Sequence, residues 1–466
     1  MTTQPPGDTD DDGRFDSATE RSSGTADRHP NAQPLPPGPD GYPIVGNTLE
    51  FVRDPFGFYD ELEEYGDVVR YRVAGRTFAA LFAPASVERV LVGEPKRFER
   101  FLFSDLGLDF APEGLLFTDG AQWRTQRRAM QPAFTIDRIR SYADAMVDEA
   151  ERTAESWRDG QPVALNRDFS DLTLRILSKA LFDVDADPDA EDEPITRAAR
   201  VINERGDSRR LSTFLPTWLP TPANRRFRRA MAAYRDRVDE LIARRRADPD
   251  GDDLLSILLR TDDLSETEIR DNLITFTFAG HETTSLGLTY TCMLLAEHDD
   301  VAETLRRELE TVLDGERPRF EHVPQLEYTE RVLNEAMRLY PPAYVLFRRA
   351  TEDAVVGGYR IPEGTVLSLP QFHLHTDERF YDDPEAFRPE RWSEDRDRPE
   401  YAYFPFGGGP RHCIGMRFAT LEMKLVLATL VRRFDLRLLS DPDPELAVGA
   451  TLQPDEDVRV RVRRRS

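Results

Sequence analysis

Cys413 sits in the run Phe406-Gly-Gly-Gly-Pro-Arg411-His-Cys413-Ile-Gly415, and a periodic apolar stretch, Met416 to Leu430, follows it. Phe418, Leu421, Leu425 and Leu427 recur there at helical spacing, so the cysteine stands where a glycine-rich loop becomes a helix. Unpaired backbone N–H groups and the positive end of a helix dipole gather at such a point, and both favour a thiolate over a thiol. Gly407, Gly408 and Gly409 carry no Cβ and would let backbone approach a large ligand. Arg411 adds a fixed positive charge close to the sulfur. A flat anionic cofactor whose metal accepts one thiolate needs this set of parts. A buried structural cysteine after an ordinary loop is the alternative, but it gives no reason for Phe406, the glycines and Arg411 at these offsets.

A second stretch able to do chemistry is Ala279-Gly280-His281-Glu282-Thr283-Thr284, in the middle of the longest helical pattern, Leu264 to His298. Glycine inside a helix costs about 1 kcal/mol relative to alanine and requires a reason. Close approach of a ligand is one. A local opening in which Glu282 and Thr283 hold water and relay protons is another, and a helix built for packing alone is the third. His281-Glu282 invites a zinc reading, but Ser285 occupies the position of the second histidine. Trp123 and Arg127 share one face of a predicted helix, where an indole N–H beside a guanidinium would clamp a carboxylate. Glu335 and Arg338 also share a helix face, and Arg391 lies in Pro389-Glu390-Arg391-Trp392. An exposed pair of that kind contributes only ~0–1 kcal/mol, so by itself it decides nothing.

Together these stretches resemble the cytochrome P-450 family, the haem-thiolate monooxygenases. Phe406 to Gly415 matches that family's Phe-x-x-Gly-x-Arg-x-Cys-x-Gly loop without a gap. Ala279–Thr284 is similar to its oxygen-activation motif, Trp123 and Arg127 to its Trp-x-x-x-Arg pair, and Glu335, Arg338 and Arg391 to its structural triad. The motifs stand in the family's order. The resemblance implies heme b (iron protoporphyrin IX) with Cys413 as the metal ligand. It implies cofactor contact from Phe406, Gly407, Arg411, Gly415, Ala279 and Gly280, and propionate contact from Trp123, Arg127 and Arg348. Arg349, next in the chain, competes with Arg348 for that role.

The same resemblance implies that Cys413 pushes electron density onto iron, while Glu282 and Thr283 support proton delivery to bound dioxygen. The implied reaction puts one oxygen atom of dioxygen into a small apolar organic substrate, a hydroxylation. The residues from Cys413 to Ser466 are too few for a flavin or iron–sulfur domain, so a separate ferredoxin and ferredoxin reductase are expected. Arg411 and Arg417 would help dock that partner. A peroxygenase or rearrangement enzyme, or a non-catalytic haem-thiolate sensor, are the rivals, and an intact Glu282-Thr283 argues against both.

Positioning these groups demands mostly helix with a small β region, an α+β chain folded as one domain over 34–466. Residues 1–33 are polar and acidic and are expected to be a disordered tail. The proline-rich segment Pro34–Pro39 predicts a stiff, extended start. Helices are expected over Asp54–Tyr65, Thr135–Arg158, Asp168–Leu181, Thr196–Asn203, Gln325–Leu339 and, as a solvated charged helix, Arg225–Arg246. Strands are expected at Val68–Val73 and Thr77–Phe82 around Ala74-Gly75, on either side of Gly357-Gly358, and at Leu430–Leu439 and Val458–Val462. Phe101–Thr118 reads as an irregular apolar loop, packed on the core or lining a pocket, and the resemblance implies that it covers the substrate; Asp207–Asn224, with three prolines, reads as a mobile lid.

Composition narrows the setting. Acids outnumber bases by 86 to 62, for a net charge of −24, which disfavours nucleic-acid partners. Lysine occurs only at Lys96, Lys179 and Lys424; a codon bias toward arginine explains that but not the acidity. The balance points to a salt-rich, halophilic cytosol, where screening weakens self-repulsion. Cys292 and Cys413 form no disulfide framework and suit a reducing, cytoplasmic compartment. No run of about 18 apolar residues predicts a transmembrane anchor, and a monomer is expected.

Overall fold

The computed structural model describes residues 33–101, 110–185, 194–206, 219–248, 250–393 and 398–465; helices dominate, and strands form four small sheets. The mostly α architecture with a minor β part is as expected. Nearly all of the expected tail, residues 207–218 of the expected lid and part of the Phe101–Thr118 loop lie outside the described residues.

The organising element is the helix Glu266–Leu295, 30 residues long and so about 45 Å from end to end. Its start is fixed by a capping box: Ser265 Oγ accepts from the Glu268 N–H at 3.2 Å, and the Glu268 carboxylate accepts from the Ser265 N–H at 2.9 Å. Nearly all of its second half is buried, because helices Leu165–Phe182, Glu327–Leu339 and Met416–Val431 surround it. A helix apolar on most sides is a core helix.

Two helical expectations change on inspection. Thr135–Arg158 divides into Ile136–Ser141 and Ala143–Ser156, because the Tyr142 N–H bonds the Ile139 carbonyl in a tighter turn. The charged helix, Pro222–Ala247, is not solvated all round. Phe227, Met231, Tyr234, Val238 and Ile242 are buried along one stripe, at the i, i+4, i+7 spacing that its many arginines hide in composition.

The largest sheet orders Val68–Val73, Arg76–Leu81, Val366–Pro370, Val345–Ala350 and Phe98–Arg100. Ala74 (φ +51°) and Gly75 (φ +76°) make the hairpin turn between the first two strands, the paired left-handed residues of a type I′ turn. Strands Phe98–Arg100 and Val345–Ala350 run antiparallel with Arg100 opposite Arg348. The closing strands are Phe434–Leu438 and Arg459–Arg464, which pair with each other.

Candidate active site

The Cys413 loop is closed by its own backbone, with the Cys413 N–H donating to the Phe406 carbonyl at 2.9 Å. Two of its three glycines, Gly408 and Gly409, serve a purpose other than the expected one. Gly407 (φ +71°) and Gly409 (φ +64°) hold left-handed backbone, which residues with a Cβ seldom adopt. A Cβ on Gly409 would overlap the Leu91 carbonyl, and one on Gly408 would press on the Tyr401 ring. The run thus lets the loop seat against the turn Arg89–Gly93 and Tyr401, and of the three only Gly407 borders the cavity beside the sulfur.

Cys413 is exposed, and the space it borders is that cavity. Surrounding protein raises its pKa through desolvation, while the Gly415 and Met416 N–H groups and Arg127 pull it down less strongly. The helix-start donors are present as expected, and the desolvating protein around the sulfur opposes them. A coordinated metal would tip that balance, since a metal-bound thiol is deprotonated outright.

The cavity, ≈ 320 Å³, takes its walls from Phe134, Leu177, Leu181, Phe276, Leu346 and neighbours, from Ala279, Gly280 and Thr283 of the central helix, and from Phe406, Gly407, Arg411, Cys413 and Gly415 of the loop. Two other clefts, ≈ 350 and ≈ 470 Å³, are lined by neither cysteine nor any residue of the central helix. Thr283 Oγ1 donates to the Ala279 carbonyl at 2.7 Å, and the helix stays continuous there. A Cβ on Gly280 would stand 3.2 Å from Leu177 Cδ1, so this glycine lets two helices close up beside the cavity. Glu282 is buried and is not part of the cavity wall. Its Oε1 accepts from Thr451 Oγ1 at 2.9 Å and from Gln453 Nε2, both on the hairpin of strands Leu446–Val448 and Leu452–Pro454. The two members of the expected relay therefore face different surroundings.

One rim of the cavity is cationic. Arg100, Arg127, Arg348 and Arg411 line it, with Trp123 among them. Arg348 and Arg100 are cross-strand partners, and like charges directly opposite one another are destabilising. Burial and repulsion from Arg348 and Arg411 depress Arg100 to about 9, and burial and Arg411 depress Arg348 to about 10. Asp119 offsets part of this, accepting from Arg411 Nη2. Arg349 projects from the other face of its strand and pairs with Glu99 at 2.5 Å, whereas Arg348 lines the cavity. The expected Trp123–Arg127 clamp is rearranged: Arg411 lies 4.2 Å over the Trp123 ring, and Arg127 Nη1 donates to the His412 carbonyl at 3.0 Å. Arg411 is mostly buried in these contacts, so it is no exposed docking charge; Arg417 is exposed.

Arg100 was not legible in the sequence. Only the register of Phe98–Arg100 against Val345–Ala350 brings it to the rim. The donor set fits a haem on its own chemistry. It offers one sulfur open to the cavity, apolar walls, and a crowded row of guanidinium groups that an anionic edge would neutralise.

Glu335, Arg338 and Arg391 form a buried cluster with fully inaccessible side chains. Glu335 accepts from Arg338 Nη2 at 2.8 Å, Arg391 Nε at 2.7 Å and Trp392 Nε1 at 2.9 Å.

Comparison with known proteins agrees with this geometry. The family model described as Cytochrome P450 matches residues 36–459. The chain belongs to the cytochrome P450 family. Cyclooctatin synthase of Streptomyces melanosporofaciens is 34% identical over 427 residues, covering 88% of this chain and 93% of that protein. Pentalenene oxygenase of Streptomyces avermitilis is 33% identical, covering 92% and 97%. A solved structure described as retinoic acid bound cyanobacterial CYP120A1 superposes with a TM-score of 0.84 at 27% identity, over 93% of this chain and all of that one. This P450 is accordingly an oxidoreductase that incorporates oxygen from dioxygen, with haem iron as its cofactor. Among the described residues no helix is long and apolar enough to cross a membrane.

Proposed function

We propose that this P450 hydroxylates an apolar, hydrocarbon-rich substrate and draws its electrons from a separate ferredoxin and ferredoxin reductase. The observation that carries the reading is that Cys413 and Thr283, from two different elements, border one apolar cavity with a cationic rim. The substrate class is supported by those walls and by the names of the two Streptomyces relatives, which carry cyclooctatin and pentalenene.

Haem bound here supplies the activation of dioxygen; the protein supplies binding, orientation and protons. In this reading Cys413 would ligate the haem iron. Arg127, Arg348 and Arg100, with Trp123, would receive its anionic groups, and Phe406, Gly407, Arg411 and Gly415 would line its site around the cysteine. Ala279 and Gly280 keep the opposite wall low. Thr283, whose hydroxyl donates to the Ala279 carbonyl, would hold a proton donor at the cavity wall, and Glu282 would be the source of the proton. The apolar walls exclude bulk water and so limit wasteful release of peroxide. The catalytic unit spans residues 34–466, acts as a monomer and works in a cytoplasm whose salt screens the excess of acids.

The test is a screen of apolar ligands against the purified ferric protein, read as shifts in the haem absorption band. Terpenoid hydrocarbons and their alcohols should displace the resting spectrum at micromolar concentration. A protein that responds only to polar ligands would contradict the substrate class.

A further inference from the structure

Glu282 is the group whose position the proposed mechanism does not explain. It needs to meet the cavity, yet both hydrogen bonds to its carboxyl come from the hairpin of strands Leu446–Val448 and Leu452–Pro454. Its second oxygen, Oε2, is buried and has no hydrogen-bond partner among the described residues. A buried, unpartnered carboxyl oxygen costs about 1–3 kcal/mol, so this arrangement is held by its neighbours and is not a relaxed one. The hairpin is in turn firmly anchored. Tyr290 Oη of the central helix donates to the Leu452 carbonyl at 3.0 Å, and Tyr344 Oη donates to the Gly449 carbonyl at 3.0 Å. The Leu452 N–H donates to the Pro342 carbonyl at 3.0 Å. Gln453 is only partly buried, so the same residue touches both solvent and the buried acid.

We propose that Thr451 and Gln453 are positioning residues that latch the Glu282 carboxyl on the hairpin, outside the cavity, and so hold proton delivery back until the latch opens. The inference rests on the proposed role of Glu282. Burial raises the carboxyl, and the hydrogen bonds from Thr451 and Gln453 oppose that rise. His281, the adjacent titratable group, points to Ser170 Oγ at 2.8 Å and does not share the hairpin.

The test uses the full-length haem-loaded protein without substrate, reduced through a plant-type ferredoxin and its reductase. Oxygen consumption and peroxide release are followed across pH. Thr451→Val/Gln453→Leu should raise substrate-free oxygen consumption at least about tenfold, since two hydrogen bonds are lost and one bond to a charged group is already worth roughly that factor. The gain should follow a single titration that vanishes when Glu282→Gln is added, and Thr451→Ser should behave as wild type. Infrared difference spectra give a second readout. The Glu282 carboxyl band, assigned by its loss in Glu282→Gln, should titrate at higher pH once its two donors are removed. If the double variant does not fold, Gln453→Leu alone is read in the same way. An unchanged rate and an unchanged carboxyl band, with Thr283→Ala still raising peroxide, would overturn the latch and leave the proposed function standing. No effect of Thr283→Ala or Glu282→Gln on peroxide would overturn both.

Discussion

Replacing Glu335 with glutamine is the sharpest test of how the site is braced. The carboxylate receives Arg338 through two bonds at 3.0 and 2.8 Å, Arg391 at 2.7 Å, Trp392 at 2.9 Å and the Arg388 N–H at 3.1 Å. The two guanidinium groups have no accessible surface to recover hydration. Glutamine keeps the shape but turns one acceptor into a donor facing other donors, and removes the only carboxylate bonded to both arginines. Breaking a buried pair from one side costs about 3–5 kcal/mol, a large share of the roughly 5–15 kcal/mol that holds a folded protein. With an unfolding entropy of about 2.1 cal/mol/K per residue, each kcal/mol moves the melting temperature of a chain this long by roughly 1 °C. Calorimetry should therefore show a fall of roughly 3–5 °C, with early loss of haem absorption. The control is Asp183→Asn, which severs the exposed Lys179–Asp183 pair at 2.8 Å and should cost no more than ~1 kcal/mol. Equal, small shifts in the two variants would refute the assignment of the cluster as a buried brace.

Cys413→Ser should abolish the red-shifted absorption of the carbon monoxide adduct, measured on the reduced protein. Thr283→Ala should raise peroxide released per dioxygen consumed without weakening ligand binding in the spectral screen. Arg348→Leu should weaken haem retention, measured by transfer to apomyoglobin, while Arg349→Leu should leave retention unchanged because Arg349 pairs with Glu99 away from the cavity. Burial raises the Glu282 carboxyl to about 7, against roughly 4.3 in an unfolded chain. Its stabilising proton is fully bound in the folded state below that lower value and is lost as pH rises through the upper one. Stability of the wild type relative to Glu282→Gln should thus fall by roughly 3 kcal/mol between pH 4 and 8, measured by urea unfolding.

The chemistry-bearing residues were legible because sequence spacing on one helix or loop survives folding. Cys413, Phe406 and the Ala279–Thr284 stretch sit on their expected elements, and the Ser265–Glu268 cap announced the start of the central helix. What sequence spacing could not convey was cross-chain register. Arg100 reaches the cavity only because strand Phe98–Arg100 pairs with Val345–Ala350, far along the chain. The Glu282 carboxyl turns away because residues 451 and 453 happen to lie beside it. Composition misled in two places. Arginines concealed the apolar stripe of Pro222–Ala247, and glycines that suggested room for a ligand at 408 and 409 answer instead to Leu91 and Tyr401.

That last contact limits how this protein can be rebuilt. The backbone of Gly409 rests on the Leu91 carbonyl with no room for a side chain, so the cysteine-bearing loop and the turn Arg89–Gly93 are one shape cut from two distant parts of the gene. A chimaera that imports residues 406–415 from a relative should bring that relative's 89–93 with it. Recombination breakpoints placed between the two would separate a mould from its casting.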